Sequence, residues 1–325
     1  TTSPPTTIPS LDDPVTAPGT LLLDASLVGE TVIPSVVTVQ ITGAALGGGT
    51  GVLGSGSGVI FDNDGHVLTN DHVVAAGTSY EIVLSDGRIY PAELVGTDPT
   101  TDLAVLSIEA VGLPPIAVGS SDALTVGDPA VAVGSPLGLD GGPSLTVGVI
   151  SAFGRQVQTD ATTRLYGMLQ TDAPITQGSS GGALVDSAGR LVGITTAVGV
   201  SEVGIEGIGF ATPIEVVTRV AGEIIETGRA SNPFLGILGG TSLDETADGG
   251  SVPVGVVIDS IEPNTAAEEA GLAAGDVISA VDGTPIDTME DLVSLLRRYG
   301  AGTTIDLTLG DGRTVEATLG ERPSA

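Results

Sequence analysis

The sequence has no cysteine, no tryptophan and no lysine: each of its ten basic residues is an arginine. Without cysteine there are no disulfides, no thiol catalysis and no cysteine-ligated zinc, although the compartment stays open. Two histidines are too few for a multi-histidine metal site. No apolar run approaches the roughly 18–20 residues that carry a helix across a bilayer. Positive charge is scarce, with 10 basic residues against 40 acidic ones and a formal charge of −30. A surface this negative repels nucleic-acid phosphates and anionic lipid headgroups, which excludes nucleic acid as a partner. The acidity suits a salty medium or a GC-rich genome equally, and composition does not choose between them.

What is present points to β structure. Hydrophobic residues make up 41% of 325, enough for two domains or three. Glycine (49 residues) and proline (20), with only 2% aromatics, favour short strands joined by tight turns. Residues 1–19 (TTSPPTTIPSLDDPVTAPG) lack apolar periodicity and read as a flexible Pro/Thr-rich linker or stalk, or as a terminus with no role. The chain begins at Thr1 rather than Met, so a segment upstream, removed or left out, is expected.

From about residue 33 to 210, β-branched runs alternate with glycine turns: 35–41 (SVVTVQI), 58–61 (GVIF), 81–84 (EIVL), 103–108 (LAVLSI), 130–133 (AVAV), 145–150 (LTVGVI) and 191–195 (LVGIT). This spacing predicts an antiparallel barrel or sandwich. A helix follows, with Thr212 as its cap, Pro213 at its first position, Glu215 completing a capping box and Gly228 as its stop. A boundary near 228–233 separates this region from a small α+β domain. There, strands are expected at 254–258, 276–281 and 304–309, and helices at 265–272 and 289–299. Thr288 and Asp291 box the second helix, and Asp282-Gly283 makes a turn.

Three features carry chemistry. Acyl transfer needs a nucleophile, a base of near-neutral pKa, an anion to orient that base and donors for an oxyanion. Only His66 and His72 can be the base. His66 lies in the hairpin turn 62–66 (DNDGH), where histidines are usually idle, and His72 ends the apolar run 68–74 (LTNDHVV). Ser179 and Ser180 stand in a glycine-flanked run, 177–184 (QGSSGGAL), which alone reads as a flexible turn. Asp102 enters the buried strand of 98–106 (DPTTDLAVL) and alone could be a turn aspartate. The order His72, Asp102, Ser180, with strands between, matches the chymotrypsin-like arrangement. The acidic clusters Asp62/Asp64, Asp244/Glu245/Asp248 and Glu268/Glu269 lack calcium-loop spacing, and the glycine-rich stretch 47–58 lacks the lysine of a phosphate loop.

These segments, with 54–61 (GSGSGVIF), 134–138 (GSPLG), 171–184 (TDAPITQGSSGGAL) and 207–213 (GIGFATP), give the chain a resemblance to HtrA/DegP-type trypsin-like serine proteases with one C-terminal PDZ domain. The resemblance covers roughly residues 33–325. It implies a mainly β, two-lobed chymotrypsin-like double β-barrel followed by a small α+β PDZ domain. The divisions are 1–19 linker, 20–230 protease and 231–325 PDZ. It makes Ser180 the nucleophile, His72 the general base and acid, and Asp102 the orienting carboxylate. The oxyanion hole is assigned to backbone at Gly178, Ser179 and Ser180, with the amides of Gly178 and Ser180 as donors. A shallow apolar specificity pocket, suited to small aliphatic residues, is assigned to Ile194, Ile208, Gly209 and Phe210. The segment around Phe234 resembles a PDZ carboxylate-binding loop, which assigns Leu235, Gly236 and Ile237 to peptide carboxylates. The alternative is that Phe234 and Leu235 are simply core residues.

Several residues depart from the family pattern. Ser179 replaces a usual Asn, Ala183 a usual Pro and Gln177 a common Pro, while Asp71 stands before the histidine and is expected to raise its pKa. The function implied is an extracytoplasmic, ATP-independent serine endopeptidase that degrades misfolded proteins and needs no cofactor. Its partners are unfolded polypeptides and C-terminal peptides. The alternatives are a catalytically silent chaperone or peptide-binding scaffold, and a structural spacer. The resemblance implies homotrimers or larger cages, usually assembled through aromatics near the protease N-terminus. Residues 20–40 hold none, so both a trimer and a monomer stay open, as does a membrane anchor upstream.

Overall fold

The structure is a computed structural model describing residues 23–44, 50–135, 142–159, 163–196 and 207–323. The 1–19 segment and residues 136–138 of the GSPLG motif lie outside the described residues. Helix α1 (Ala25–Val32) opens the described chain, and the Asp24 carboxylate caps it by accepting from the amides of Ser26 and Leu27. Strands β1 (Val36–Ala44), β2 (Thr50–Ile60), β3 (His66–Thr69), β4 (Ser79–Val83), β5 (Ile89–Asp98) and β6 (Leu103–Ile108) close into one barrel, ordered β1-β2-β3-β6-β5-β4. The short helix α2 (Asp71–Val74) follows β3. A second closed barrel, ordered β10-β11-β12-β9-β8-β7, uses β7 (Pro129–Gly134), β8 (Ser144–Gln158), β9 (Arg164–Thr171), β10 (Ala183–Val185), β11 (Leu191–Thr196) and β12 (Gly209–Pro213).

The near-continuous apolar runs follow from what each strand face meets. In β6, Ala104, Leu106 and Ile108 fill the first barrel with Val37, Val39, Ile60, Val67 and Ile82. Leu103 and Val105 point the other way, into a layer between the barrels. In β7, Ala130 and Ala132 fill the second barrel, while Val131 and Val133 join that same layer. Successive side chains point to opposite faces, so a strand buried on both faces needs apolar residues throughout. The layer between the barrels also takes Val28 and Val32 of α1, and Val217, Val220 and Ile224 of the next helix, α3 (Ile214–Thr227).

Helix α3 stops at left-handed Gly228 as the sequence predicts, but it starts differently. Thr212 lies in β12 and donates to the Thr101 carbonyl, 3.4 Å away. Glu215 closes no box: its carboxylate accepts from Ser120 Oγ and from Ser121 N and Oγ. Both side chains are drawn into tertiary bonds, leaving Pro213 at the cap with no side-chain acceptor.

The remaining strands are β13 (Pro233–Phe234), β14 (Ile237–Glu245), β15 (Ser251–Ile261), β16 (Val277–Val281), β17 (Thr284–Pro285), β18 (Thr304–Leu309), β19 (Thr314–Thr318) and β20 (Gly320–Glu321). With helices α4 (Ala266–Glu269) and α5 (Met289–Leu296) they enclose a core of Leu235, Val256, Ile258, Ile278, Leu292 and Leu307. The main sheet runs β14-β15-β16-β18-β19, so β14 is an edge strand beside α5. The capping box of Thr288 and Asp291 is present. Asp282 and Gly283 both take positive φ, +47° and +75°, as a two-residue hairpin turn demands.

Candidate active site

Asp102 is presented by the 98–102 loop in a left-handed conformation, φ +57°, and is nearly buried. The loop is shaped from inside by buried Asp98, whose carboxylate accepts from Thr100 N (3.1 Å) and Thr101 Oγ1 (2.7 Å). From outside, three consecutive carbonyls are held by three different parts of the molecule. Arg297, just past α5, donates to Thr100 O at 2.8 Å, Thr212 of β12 to Thr101 O, and Asn70 to Asp102 O at 2.8 Å. The Arg297 guanidinium also stacks on Tyr166. Burial draws its pKa down to about 10, partly offset by the charge of Asp98, so it stays charged at neutral pH.

His72, in α2, brings its ring Nδ1 to 2.8 and 2.9 Å from the two Asp102 oxygens, and its backbone amide to 3.0 Å from one of them. The ring is half exposed, with 47% of the side chain open against 8% for Asp102. Burial pulls the His72 pKa down. The hydrogen bond and charge of Asp102, with a smaller contribution from Asp71, outweigh this and leave it raised above the ordinary histidine value. The expected effect of Asp71 therefore has the anticipated sign. Asp71 is itself raised by burial and by the charges of Asp102 and Asp98, against a lowering bond from Thr97. His66 makes a separate pair with Asp62, Nδ1 to Oδ2 2.6 Å, and takes no part here.

Ser180 sits on the segment entering β10, buried at the junction of the two barrels. Gly178 and Gly181 take φ +91° and +86°, conformations that glycine adopts without strain. A Cβ on Gly181 would collide with the Ser57 carbonyl and the Thr69 hydroxyl. The segment is stitched to the first barrel by Ser57, whose Oγ donates to Gly178 O (2.7 Å) and whose amide donates to Ser180 O (2.8 Å). Within the second barrel, Gly181 N donates to Thr195 O, and Thr195 Oγ1 to Ser179 O. The Ser179 amide is committed to Thr176 O at 2.9 Å, so of the three residues assigned to the oxyanion hole, Ser179 offers no free donor.

The expected specificity pocket needs a correction. Ile194 is wholly enclosed among Val131, Val133, Ala183 and Leu191, because its side chain falls on the face of β11 that meets the inter-barrel layer. Phe210 is half-buried against Val157, Leu165 and Met168. Gly209 is buried and Ile208 half-buried, and Ile175 lies over Gly209, so close that a Cβ there would stand 2.6 Å from its Cδ1. Ile175, Ser57, Asn70 and Arg297 were not singled out as site residues from the sequence. Ser57, Asn70 and Ile175 sit inside recognisable motifs, but Arg297 gave no local signal.

At the small domain, Leu235 is a core residue and its carbonyl accepts from Ala267 N at 2.8 Å. Gly236 has φ +85°, and a Cβ there would collide with the Thr265 side chain. Ile237 begins the edge strand β14. Phe234 stacks against the Arg322 guanidinium.

Fold and site together define a trypsin-like serine peptidase architecture joined to a PDZ domain. A family model described as a trypsin-like peptidase domain matches residues 56–194, and one described as a PDZ domain matches 257–309. A solved structure of the HtrA-type protease AlgW with tripeptide superposes with TM-score 0.71 at 32% identity, covering 93% of this chain and 98% of that one. The serine endoprotease from Yersinia pestis gives TM-score 0.63 at 32% identity, covering 94% and 100%. Serine protease PepD of Mycobacterium tuberculosis is 39% identical over 74% of this chain and 53% of its own. The periplasmic serine endoprotease DegP of Escherichia coli is 39% identical over 76% and 52%. The chain belongs to the HtrA/DegP family of serine proteases, and it spans about half the length of these two relatives.

Proposed function

We propose that the chain is an extracytoplasmic, ATP-independent serine endopeptidase acting on misfolded or damaged polypeptides. The observation that carries this is the bidentate approach of His72 Nδ1 to Asp102, in the cleft where the Ser180 segment is bonded to both barrels. In this reading Asp102 fixes the tautomer that holds the proton on Nδ1 and leaves Nε2 as the base. Nε2 takes the Ser180 Oγ proton as the oxygen attacks the scissile carbonyl, and returns it to the leaving amine. A water activated in the same way releases the acyl group. The amides of Gly178 and Ser180 receive the oxyanion. We assign a small apolar specificity pocket to Ile208, Gly209 and Ile175, fitting cleavage after small aliphatic residues. At the PDZ domain, the loop at Leu235, Gly236 and Ile237 takes a terminal carboxylate while the peptide adds to the open edge of β14.

Reduced casein digested by wild type and by Ser180→Ala, with and without a hydrophobic C-terminal peptide, tests the reading. Cleavage confined to wild type and stimulated by the peptide supports it. A folded wild type silent in every condition would move the assignment to a peptide-binding chaperone.

A further inference from the structure

Asn70 immediately precedes α2, a position where an asparagine side chain usually accepts a backbone amide of the first turn. Here it makes no such bond. The acceptor for the His72 amide is instead the carboxylate of Asp102, so the residue that orients the imidazole also caps the imidazole's own helix. Asn70 turns the other way. Its Nδ2 donates to Asp102 O at 2.8 Å and to Thr196 Oγ1 at 3.2 Å. The bonds form a relay: the side chain of Asn70 holds the main chain of Asp102, and the side chain of Asp102 holds the main chain and ring of His72.

Two further observations separate this from ordinary packing. Asp102 occupies the left-handed region, φ +57°, which carries a backbone cost for a residue with a Cβ, smaller for Asp than for most. Asn70 is fully buried, and among the described residues its Oδ1 is the buried side-chain polar atom with no hydrogen-bond partner. A side chain that leaves an acceptor unsatisfied in the interior is a poor choice for stability alone.

We infer that Asn70 is a positioning residue for proteolysis: its amide locks the Asp102 backbone in the left-handed turn that aims both carboxylate oxygens at His72. The inference rests on the proposed roles of His72, Asp102 and Ser180. Thr196 is a second partner of the amide, and the charges acting on the His72 ring are those of Asp102 and Asp71.

The test compares full-length wild type, Asn70→Ala, Asn70→Ser and Thr196→Val on one peptide substrate, with competent serines counted by a phosphonate label. Asn70→Ala is expected to lower kcat per labelled site on the order of a hundredfold, with KM little changed. The acid limb of its kcat/KM profile should move to lower pH as the Asp102–His72 pairing loosens. Asn70→Ser, which keeps a shorter donor, should recover part of both, and Thr196→Val should leave the limb in place. The chain has only two histidines, so ring Nδ1 protons can be assigned by NMR. The His72 resonance should move or vanish in Asn70→Ala while that of His66, paired with Asp62, stays as an internal control. If Asn70→Ala does not fold, Asn70→Ser is read by the same resonance. Wild-type kcat per site with an unmoved limb and resonance would overturn the inference, as would a loss matched by Thr196→Val. Cleavage persisting in Ser180→Ala would instead overturn the triad reading beneath it.

Discussion

At the scale of single residues, the proposed role of His72 as base sets the expected pH response. Its raised pKa means that the base becomes neutral only above the pH at which a free histidine would, so activity should climb through that higher value. Stability moves in the opposite sense. A raised folded-state pKa contributes stability at low pH that fades as pH rises through it, so that increment is gone where the ring is neutral. Asp71→Asn removes one of the charges favouring the protonated ring, and the acid limb of its kcat/KM profile should fall modestly below that of wild type. The pairing of His72 with Asp102 was legible in the sequence through the order of His72, Asp102 and Ser180 with strands between, since each segment alone admits a bland reading. Ile194 was misplaced because which face of β11 it occupies depends on a register shift between Leu184 and Val185 where β10 pairs with it, and a linear pattern does not reveal that.

At the scale of elements, the segment just past α5 matters more than its amphipathic pattern suggests. Arg297 lends a donor to Thr100 O and its own carbonyl accepts from Arg219 Nε of α3 at 2.9 Å. Arg298 pairs with Asp122 and, at 3.6 Å, with Glu215. Arg297→Ala leaves the Thr100 carbonyl without its arginine partner, and should cost about 1–3 kcal/mol in denaturant unfolding. The same variant should lose activity beyond what its unfolded fraction explains, because the loop it supports ends in Asp102. The strand runs, the stop at Gly228 and the box at Thr288 were readable from local chemistry. The start of α3 was not, because Thr212 and Glu215 are claimed by partners distant in sequence, Thr101 and Ser120–Ser121.

At the scale of the whole molecule, thirty net negative charges repel one another in the folded state. Salt shortens the reach of that repulsion from roughly 10 Å at 0.1 M to about 3 Å at 1 M. The melting temperature should therefore rise with sodium chloride, read by calorimetry on Ser180→Ala to avoid self-digestion; a flat response would mean that local ion pairs outweigh the global field. The division of the site between two barrels has a consequence for the protein's own lifetime. A copy whose barrels separate loses the Ser57–Ser180 bond that holds the proposed nucleophile segment against the barrel of His72 and Asp102, at the moment its strands become accessible. On the proposed activity, such a copy is cut by an intact neighbour rather than by itself. Attrition of such a population is an encounter between molecules, so it accelerates with crowding of the enzyme and slows on dilution.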